Sequence, residues 1–423
     1  MAEDDVELLS DGALGEPPPP PPDALDRTPG RWWSALAGLP RPFWVIFAGT
    51  IVNRLGQFVE PFLALYLVRG RDLSLTTAGA IITCFGAGSF VSQPLGGWLA
   101  DRFGRRATMV GGLLATAASM GLLGVARPLW LIAASSLLVG VAVDIYRPAA
   151  SAAVADIIDP QDRPRAFAII YWAINLGVSV SGVLGGLLAA HGWWILFVLD
   201  AATSILFAVL VARGVPESRP EPEPSESGGY GPVLRDRLAV ALAAMTLVGA
   251  TVYLQAYVAL PLAMTQDHLS PASYGIAYAV NPIAIIAIQP LTLRWLIRLP
   301  PAQVYAWSIL VTGIGFGLTG FAHTTVEYGA TVFVWTLGEI AFNSIGPTII
   351  NTIAPESMRG RYNGLIGLAF GGASMFAPLA GTWGLDQGRA VVFGGCLGVN
   401  AVVAVAASFL GPSLRRRMST ETA

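Results

Sequence analysis

Six ionisable residues fall inside long apolar stretches of this sequence: Arg54, Glu60, Asp144, Arg147, Asp200 and Glu339. A charge at the middle of a membrane is costly and is retained for pairing or for function. These six are therefore the candidates for chemistry if the stretches cross a bilayer. Asp144 and Arg147 are three apart and share a helix face. One reading of Arg54, Asp144 and Arg147 is an ion-pair network between neighbouring helices; the other is a polar site. Asp200 lies toward one end of its stretch and is read as structural. Glu339 has no charged neighbour in its own stretch, and the adjoining stretches offer no mid-span arginine. A carboxyl with no counter-charge in a low-dielectric setting is stabilised by taking up a proton. Glu339 is thus a candidate proton carrier, against the alternative of a neutral acid hydrogen-bonded to a neighbouring helix.

Other chemistries are excluded or unsupported. All 25 basic residues are arginine. A phosphate-binding loop of the Walker type and a Schiff-base enzyme both require lysine. The three histidines, His191, His268 and His323, fall near predicted helix ends, so no metal site is expected. Cys84 and Cys396 each lie in an apolar stretch and read as small buried hydrophobes. No nucleophile–base pair or metal-ligand cluster supports an enzyme, and no cofactor is expected. A net charge of −2 implies no bulk attraction to nucleic acid.

The stretches themselves set the fold class. Residues are 54% apolar and only 12% charged, against roughly 25% charged in soluble proteins. A helix needs about 20 apolar residues to cross a bilayer. Twelve such spans are predicted: 43–68, 75–99, 107–126, 129–154, 166–190 and 194–213, then 238–264, 272–293, 302–322, 327–351, 363–384 and 390–411. Residues 1–42 form an acidic, proline-rich tail with six consecutive prolines, Pro17 to Pro22, and no apolar face to bury. Residues 214–236 are a polar linker rich in Pro, Glu and Ser, and 412–423 a basic tail ending past Arg415, Arg416 and Arg417. Placing the N-terminus in the cytoplasm puts 19 arginines inside and 4 outside, namely Arg69, Arg71, Arg127 and Arg389. That asymmetry fits an even number of spans with both termini cytoplasmic.

The two sets of six are related. Gln93-Pro94-Leu95 with Arg102 matches Gln289-Pro290-Leu291 with Arg298 at a separation of 196 residues. Pro160 and Arg165 match Pro355 and Arg361 at nearly the same separation. Transporters use such repeats to place a site between two rocking halves. Under this alignment Asp144 and Glu339 are equivalent positions of spans 4 and 10, and Glu60 falls on Gln255 of span 7. The expectation is a central cavity with Glu339, Asp144, Glu60, Arg54, Arg147 and Gln255 around it. Tyr66, Phe58, Phe62, Tyr253, Tyr257, Trp335 and Phe342 are candidates for an aromatic lining.

The loop after span 2 carries a motif: Gly97, Asp101, Arg102, Gly104, Arg105 and Arg106. Gly97 permits close helix approach, Gly104 a tight turn, and Asp101 a charge at a helix end. This loop closely resembles the signature loop of the major facilitator superfamily. The resemblance implies an all-α membrane protein of twelve transmembrane helices in two pseudo-symmetric six-helix bundles. It also implies that Asp101, Arg102 and Arg105 act as a conformational gate that holds the cytoplasmic side closed in the outward-facing state.

Other segments resemble the drug:proton antiporter branch, the bacterial multidrug exporters. Span 5 carries Gly177, Ser181, Gly182, Gly185 and Gly186, similar to the branch's helix 5 signature. Ser181 stands where Gly is usual and Gly182 where Pro is usual, which predicts a softer bend. The branch's arginine early in helix 4 is replaced by Ser136. The resemblance implies proton-coupled efflux of small hydrophobic or amphipathic compounds such as drugs or antibiotics, by alternating access. The partners it implies are a small-molecule substrate, protons and the lipid bilayer, and the protein is expected to be a monomer in a bacterial plasma membrane. The alternatives are an importer or uniporter of a metabolite, and a non-transporting membrane receptor.

Overall fold

The computed structural model describes residues 38–159, 162–217, 231–296, 299–355 and 358–420. The run of prolines and most of the polar linker lie outside these residues, as do Pro160 and Arg298 from the repeat comparison. Compact packing places Pro40–Ala423 in one unit, described here.

Twelve crossings are present, and no strand occurs among the described residues. The first is broken into α1 (Arg41–Leu55) and α2 (Val59–Leu65). It is followed by α3 (Leu75–Phe103) and α4 (Arg105–Val125). The fourth is broken into α5 (Leu129–Val143) and α6 (Tyr146–Ile157). The first half closes with α7 (Arg163–Ala189) and α8 (Trp193–Gly214). A short α9 (Gly231–Arg235) precedes the second half. The seventh crossing comprises α10 (Arg237–Tyr253) and α11 (Ala259–Gln266), joined by a 3-10 turn over Leu254–Ala256. Then come α12 (Pro271–Leu296), α13 (Pro301–Thr319), α14 (Thr325–Ile353), α15 (Arg359–Gln387) and α16 (Arg389–Thr420).

Ten segments are long and apolar enough to cross on their own. The first crossing is not among them because its break shortens each piece. The tenth is diluted by Glu339, Asn343 and Ser344.

The breaks have polar causes. After Gly56 the chain leaves the helix, and α2 restarts with its Val59 N–H donating to the Asp200 carboxylate of α8 at 3.3 Å. Buried Asp200 thus sits at a helix N-terminus, where backbone donors and the dipole favour an anion. The seventh crossing restarts with the same pattern, since α2 and α11 each carry proline at their third position, Pro61 and Pro261. The repeated break is a structural trace of the internal repeat. By this pairing Glu60 corresponds to Leu260, not Gln255, because the two breaks differ in length.

Each half is a bundle of its own, and the halves meet along two seams, α7 against α12 and α3 against α15. Glycines allow the approach at one end only. A Cβ at Gly186 would meet the Pro271 carbonyl at 2.6 Å. One at Gly275 would strike the Gly182 backbone, one at Gly86 the Ser374 backbone, and one at Gly79 the Thr382 side chain. These positions lie toward the end opposite the arginine-rich loops. A buried apolar cluster shared by both halves, including Phe62, Leu67, Leu260, Met264 and Tyr274, fills that end. Arg69 also donates across the seam to the Thr265 carbonyl at 3.4 Å. On the arginine-rich side the same helices diverge, with open space around Gly97 of α3 and Gly367 of α15.

Ion pairs tie helix ends within the second half. At the closed end Arg389 of α16 donates to both Asp267 oxygens, at 3.1 and 2.9 Å, and Tyr328 donates to Asp267 at 2.8 Å. Burial works to raise the Asp267 carboxyl, but hydrogen bonds from Tyr328, His323 and Arg389 outweigh it and hold it below its ordinary value. At the other end Asp236 caps α10 and receives Tyr362 at 2.6 Å and Arg417 at 2.7 Å.

Two predictions follow from this packing. Gly275→Val drives a side chain into the Gly182 backbone, so spin labels at Asp72 and Ser270 should separate by several ångströms, while Gly398→Val, facing open space, leaves the distance unchanged. Equal distances in both variants would refute the close seam. A carboxyl held below its unfolded value contributes stability that is complete above the ordinary carboxylate range and drains away as pH falls through the folded value. Acid melting of the detergent-solubilised protein should therefore lose part of its pH dependence in Asp267→Asn, and an unchanged acid profile would count against the clamp.

Candidate functional site

Between the halves lies a cavity of about 910 Å³. It is lined from both bundles and continues past Gln93, Pro94, Asn363 and Gly364 toward the arginine-rich end. With the opposite end sealed, this conformation is open on the side of the arginine-rich loops.

Five of the six predicted cavity residues line it: Arg54, Glu60, Asp144, Arg147 and Glu339. They are held differently in the two halves. In the first half the charges form a connected network. Arg54 donates to Tyr146 at 3.1 Å and to Gln57, and Gln57 donates to Glu60. Tyr146 donates in turn to Asn53 at 3.3 Å, and Asn53 to Ser204 at 3.2 Å. Asp144 stands in the break between α5 and α6 and pairs with Arg147 at 3.2 Å. Two cations thus face two anions. Arg54, Gln57 and Glu60 follow one another at steps of three residues, so the chain of hydrogen bonds runs along one side of the first crossing and through its break.

Glu339 has no such partner in its hydrogen bonds. Its carboxylate accepts from the Tyr253 hydroxyl at 3.1 Å and the Asn281 amide at 2.5 Å, both neutral donors. Asn281 also donates to Thr336 on the same helix as Glu339, at 3.0 Å. Asp144 and Glu339 therefore face one cavity in unlike settings, one beside a cation and one among neutral dipoles.

Gln255 is not in the cavity. It is buried in the 3-10 turn of the seventh crossing, and its amide donates to the carbonyls of Thr251 and Ala377, each at 3.0 Å. Its oxygen lies so near Gly381 of α15 that any Cβ there would collide. The aromatic candidates divide as well. Tyr253 and Tyr257 line the cavity. Phe58, Phe62, Tyr66 and Trp335 pack in the apolar seal, Tyr66 edge-on to Phe197 and Trp335 stacked on Phe316. Phe342 lines a smaller neighbouring pocket.

Neutral polar side chains complete the lining. Gln57, Tyr171, Asn175, Tyr278, Asn281 and Asn343 all reach it. Their signal in the sequence is weak, because a single Asn or Tyr in an apolar span is common and helix periodicity does not say which neighbour it faces.

The motif loop lies apart from the cavity. Asp101 is largely exposed and pairs with Arg105 of its own loop at 2.9 Å. Arg105 also reaches Asp156 of α6 at 3.5 Å. Arg102 lies over the Trp98 and Phe103 rings, at 5.7 and 5.8 Å. Gly104 takes φ 98°, open to glycine without strain. Arg106 bonds the Ala212 carbonyl. One functional contact had no forecast: Glu217, just past α8, accepts from the backbone of Arg106 and Ala107 at 3.0 Å each. It seats a carboxylate on the α4 N-terminus and ties the linker to the loop.

Two of the four span 5 glycines lie at the joint between the halves, and two pack within the first half. Gly177 faces Arg54, Gly185 faces Phe62 and Phe58, and Gly182 and Gly186 meet α12. Ser181 lines the cavity and donates to the Val178 carbonyl at 3.0 Å. α7 runs unbroken through the motif.

The paired and unpaired acids are separable by experiment. Asp144→Asn and Arg147→Gln should each destabilise the protein, while the double variant loses less than the sum, with a coupling of about 1 kcal/mol. Strictly additive losses in chemical unfolding would exclude the pair as a stabilising unit.

The sequence matches the profile described as Major Facilitator Superfamily over residues 46–259 and 242–422. Among curated relatives it is 24% identical to a Na+, Li+, K+/H+ antiporter of Planococcus maritimus over 80% of this chain and 85% of that protein. It is 28% identical to the multidrug resistance protein MdtH of Cronobacter sakazakii over 80% of this chain and 85% of that one. Among solved structures, a peptide transporter POT in complex with sulfate superposes with a TM-score of 0.76 at 18% identity, covering 90% of this chain and 96% of the other. At that identity the likeness is one of fold.

Proposed function

This chain belongs to the major facilitator superfamily and is a multi-pass membrane transporter, and on that premise we propose that it exports small hydrophobic or amphipathic compounds in exchange for protons. The observation that carries the reading is the unlike treatment of the cavity acids. Arg54 and Arg147 balance Glu60 and Asp144, which leaves Glu339 as the uncompensated charge among these five residues.

The transport cycle follows from the cost of moving net charge through a low-dielectric region. With Glu339 protonated the five-residue set is neutral and the empty protein reorients. With Glu339 ionised the set carries one negative charge and favours a cationic amphipath. A bound monocation restores neutrality, and the loaded protein reorients. Proton and substrate therefore compete for one charge, which is the condition for antiport. Tyr171, Tyr253, Tyr257 and Tyr278 offer aromatic faces and hydroxyls to such a ligand. The relatives' names, a cation/proton antiporter and multidrug resistance proteins, support the same reading.

The arginine-rich end is placed in the cytoplasm of a bacterial cell, with both termini on that side. The present conformation is then inward-open. In it Asp101 pairs with Arg105 and, among the described residues, with nothing of the opposite half, as suits a gate loop that engages when the cytoplasmic side shuts. The protein works as a monomer, since both seams that enclose the cavity lie within one chain.

Everted membrane vesicles with ethidium or members of a panel of antibiotics added to the outside medium provide the test. Uptake should require the proton gradient, collapse with an uncoupler, and fall at least tenfold in Glu339→Gln and Asp144→Asn. Substrate movement without proton movement would leave an importer or uniporter of a metabolite as the better reading. Full proton-linked efflux in Glu339→Gln would remove Glu339 from the mechanism.

A further inference from the structure

Glu339 borders a second space. Inside the second bundle lies a side pocket of about 170 Å³. Tyr253, Glu339, Asn343 and Phe370 line both this pocket and the central cavity, so they stand at the boundary between the two. The Tyr253 and Phe370 rings lie 6.4 Å apart there. Phe370 is 41% exposed, so packing does not lock its ring in place. Every wall of the pocket comes from α10, α13, α14, α15 and α16, all within one half.

Size and lining select the occupant. A whole drug-sized molecule needs roughly 300–1,000 Å³, which the central cavity offers and this pocket does not. An apolar cavity of about 150 Å³ holds one benzene ring. The pocket therefore fits a single ring or a short branched alkyl group. Met245, Ala250, Ile309, Phe342 and Phe370 give it a surface of carbon. Neighbouring polar side chains are turned to the backbone. Ser308 donates to the Tyr305 carbonyl at 2.7 Å, and Thr312 to the Ser308 carbonyl at 2.9 Å. The Asn400 amide donates to the Ile309 carbonyl at 3.1 Å. Among the residues that line the pocket Glu339 alone is charged, and it stands at the boundary.

We propose that this side pocket is a subsite for the apolar end of a monocationic substrate, one aromatic ring or short branched alkyl group, whose charged head rests against Glu339. The inference rests on the reading of Glu339 as the charge that meets a cationic amphipath, and it adds the shape of that amphipath. The head approaches Glu339 through the open central cavity, while the ring passes Phe370 and leaves water for a carbon-lined space. A cation without an apolar group gains only the charge. An amphipath whose apolar group is much larger than one ring leaves part of it in the central cavity, among the tyrosines. Because the walls belong to one half, the seated group keeps its contacts when the halves rock in the proposed cycle, and only contacts with the first half change.

Two glycines make the subsite testable. Gly249 lines the side pocket and Gly367 the central cavity, and a Cβ at either meets nothing within 4 Å. Both therefore accept a side chain without collision. The probes are tetramethylammonium and benzyltrimethylammonium, permanent cations that differ by one ring, titrated against the reconstituted full-length protein. The wild type should bind the benzyl compound at least tenfold more tightly. Gly249→Leu fills the pocket and should cut that ratio below twofold, with tetramethylammonium affinity kept within twofold; Gly249→Ala should give an intermediate ratio. Gly367→Leu should keep the ratio at tenfold or more. A wild-type ratio below twofold, a full ratio in Gly249→Leu, or an equal loss in Gly367→Leu would overturn the subsite while leaving the cation reading of Glu339 in place. If Gly249→Leu binds neither compound, Gly249→Ala decides, and an unchanged ratio there overturns the subsite. Binding of both cations that is absent in the wild type, or unaffected by Glu339→Gln, would overturn the cation reading itself, and the subsite with it.

Discussion

An ionised side chain in the middle of a bilayer is stable only beside a counter-charge, a set of fixed dipoles or water, and the interior of this protein is arranged around that constraint. Arg54, Glu60, Asp144 and Arg147 meet it by mutual pairing and through Gln57 and Tyr146. Asp200 meets it at the N-terminus of a restarted helix. Glu339 meets it with two neutral donors. The backbone differs around each. The network spans the break in the first crossing, the pair sits at a break in the fourth, and Glu339 stands on an unbroken helix.

The same constraint shapes the passage between the halves. Interfaces in a membrane gain nothing from excluding lipid-like surface, so close backbone contact carries them. Here glycines make that contact at one end of both seams, and the apolar cluster around Phe62, Leu260 and Tyr274 completes the seal. Toward the arginine-rich end the seams part, and the polar residues there face a water-accessible cavity. In the proposed cycle a rocking motion exchanges which end is sealed, and the charge state of the cavity decides whether the motion is allowed. At the arginine-rich end Glu217 anchors the motif loop to the end of the first half.

Much of this was legible in the residues. Apolar stretch length located all twelve crossings, including the first, which is broken, and the tenth, which polar residues dilute. The loop motif identified the family on a few residues. Placement of acids in spans 1, 4 and 10 found the cavity's charged members. The pairing of Glu60 with Gln255 was not correct, because it assumed a constant separation through two helix breaks of different length. Some of the aromatic candidates failed for another reason: Phe62 and Trp335 are as apolar as lining residues are, and their burial in the seal depends on which neighbour each helix presents.

The sequence by itself determined the number of crossings, their division into two related sets, the arginine asymmetry and the identity of the buried acids, since these depend on composition and order along one dimension. Tertiary structure alone decided that Asp144 is paired and Glu339 is not, that Gln255 turns away, that one end is sealed by glycine seams, and that Glu339 faces two spaces. Helical periodicity specifies which residues share a face. It does not specify which of eleven other helices meets that face, and the partner determines whether a carboxyl sees an arginine, an amide or water.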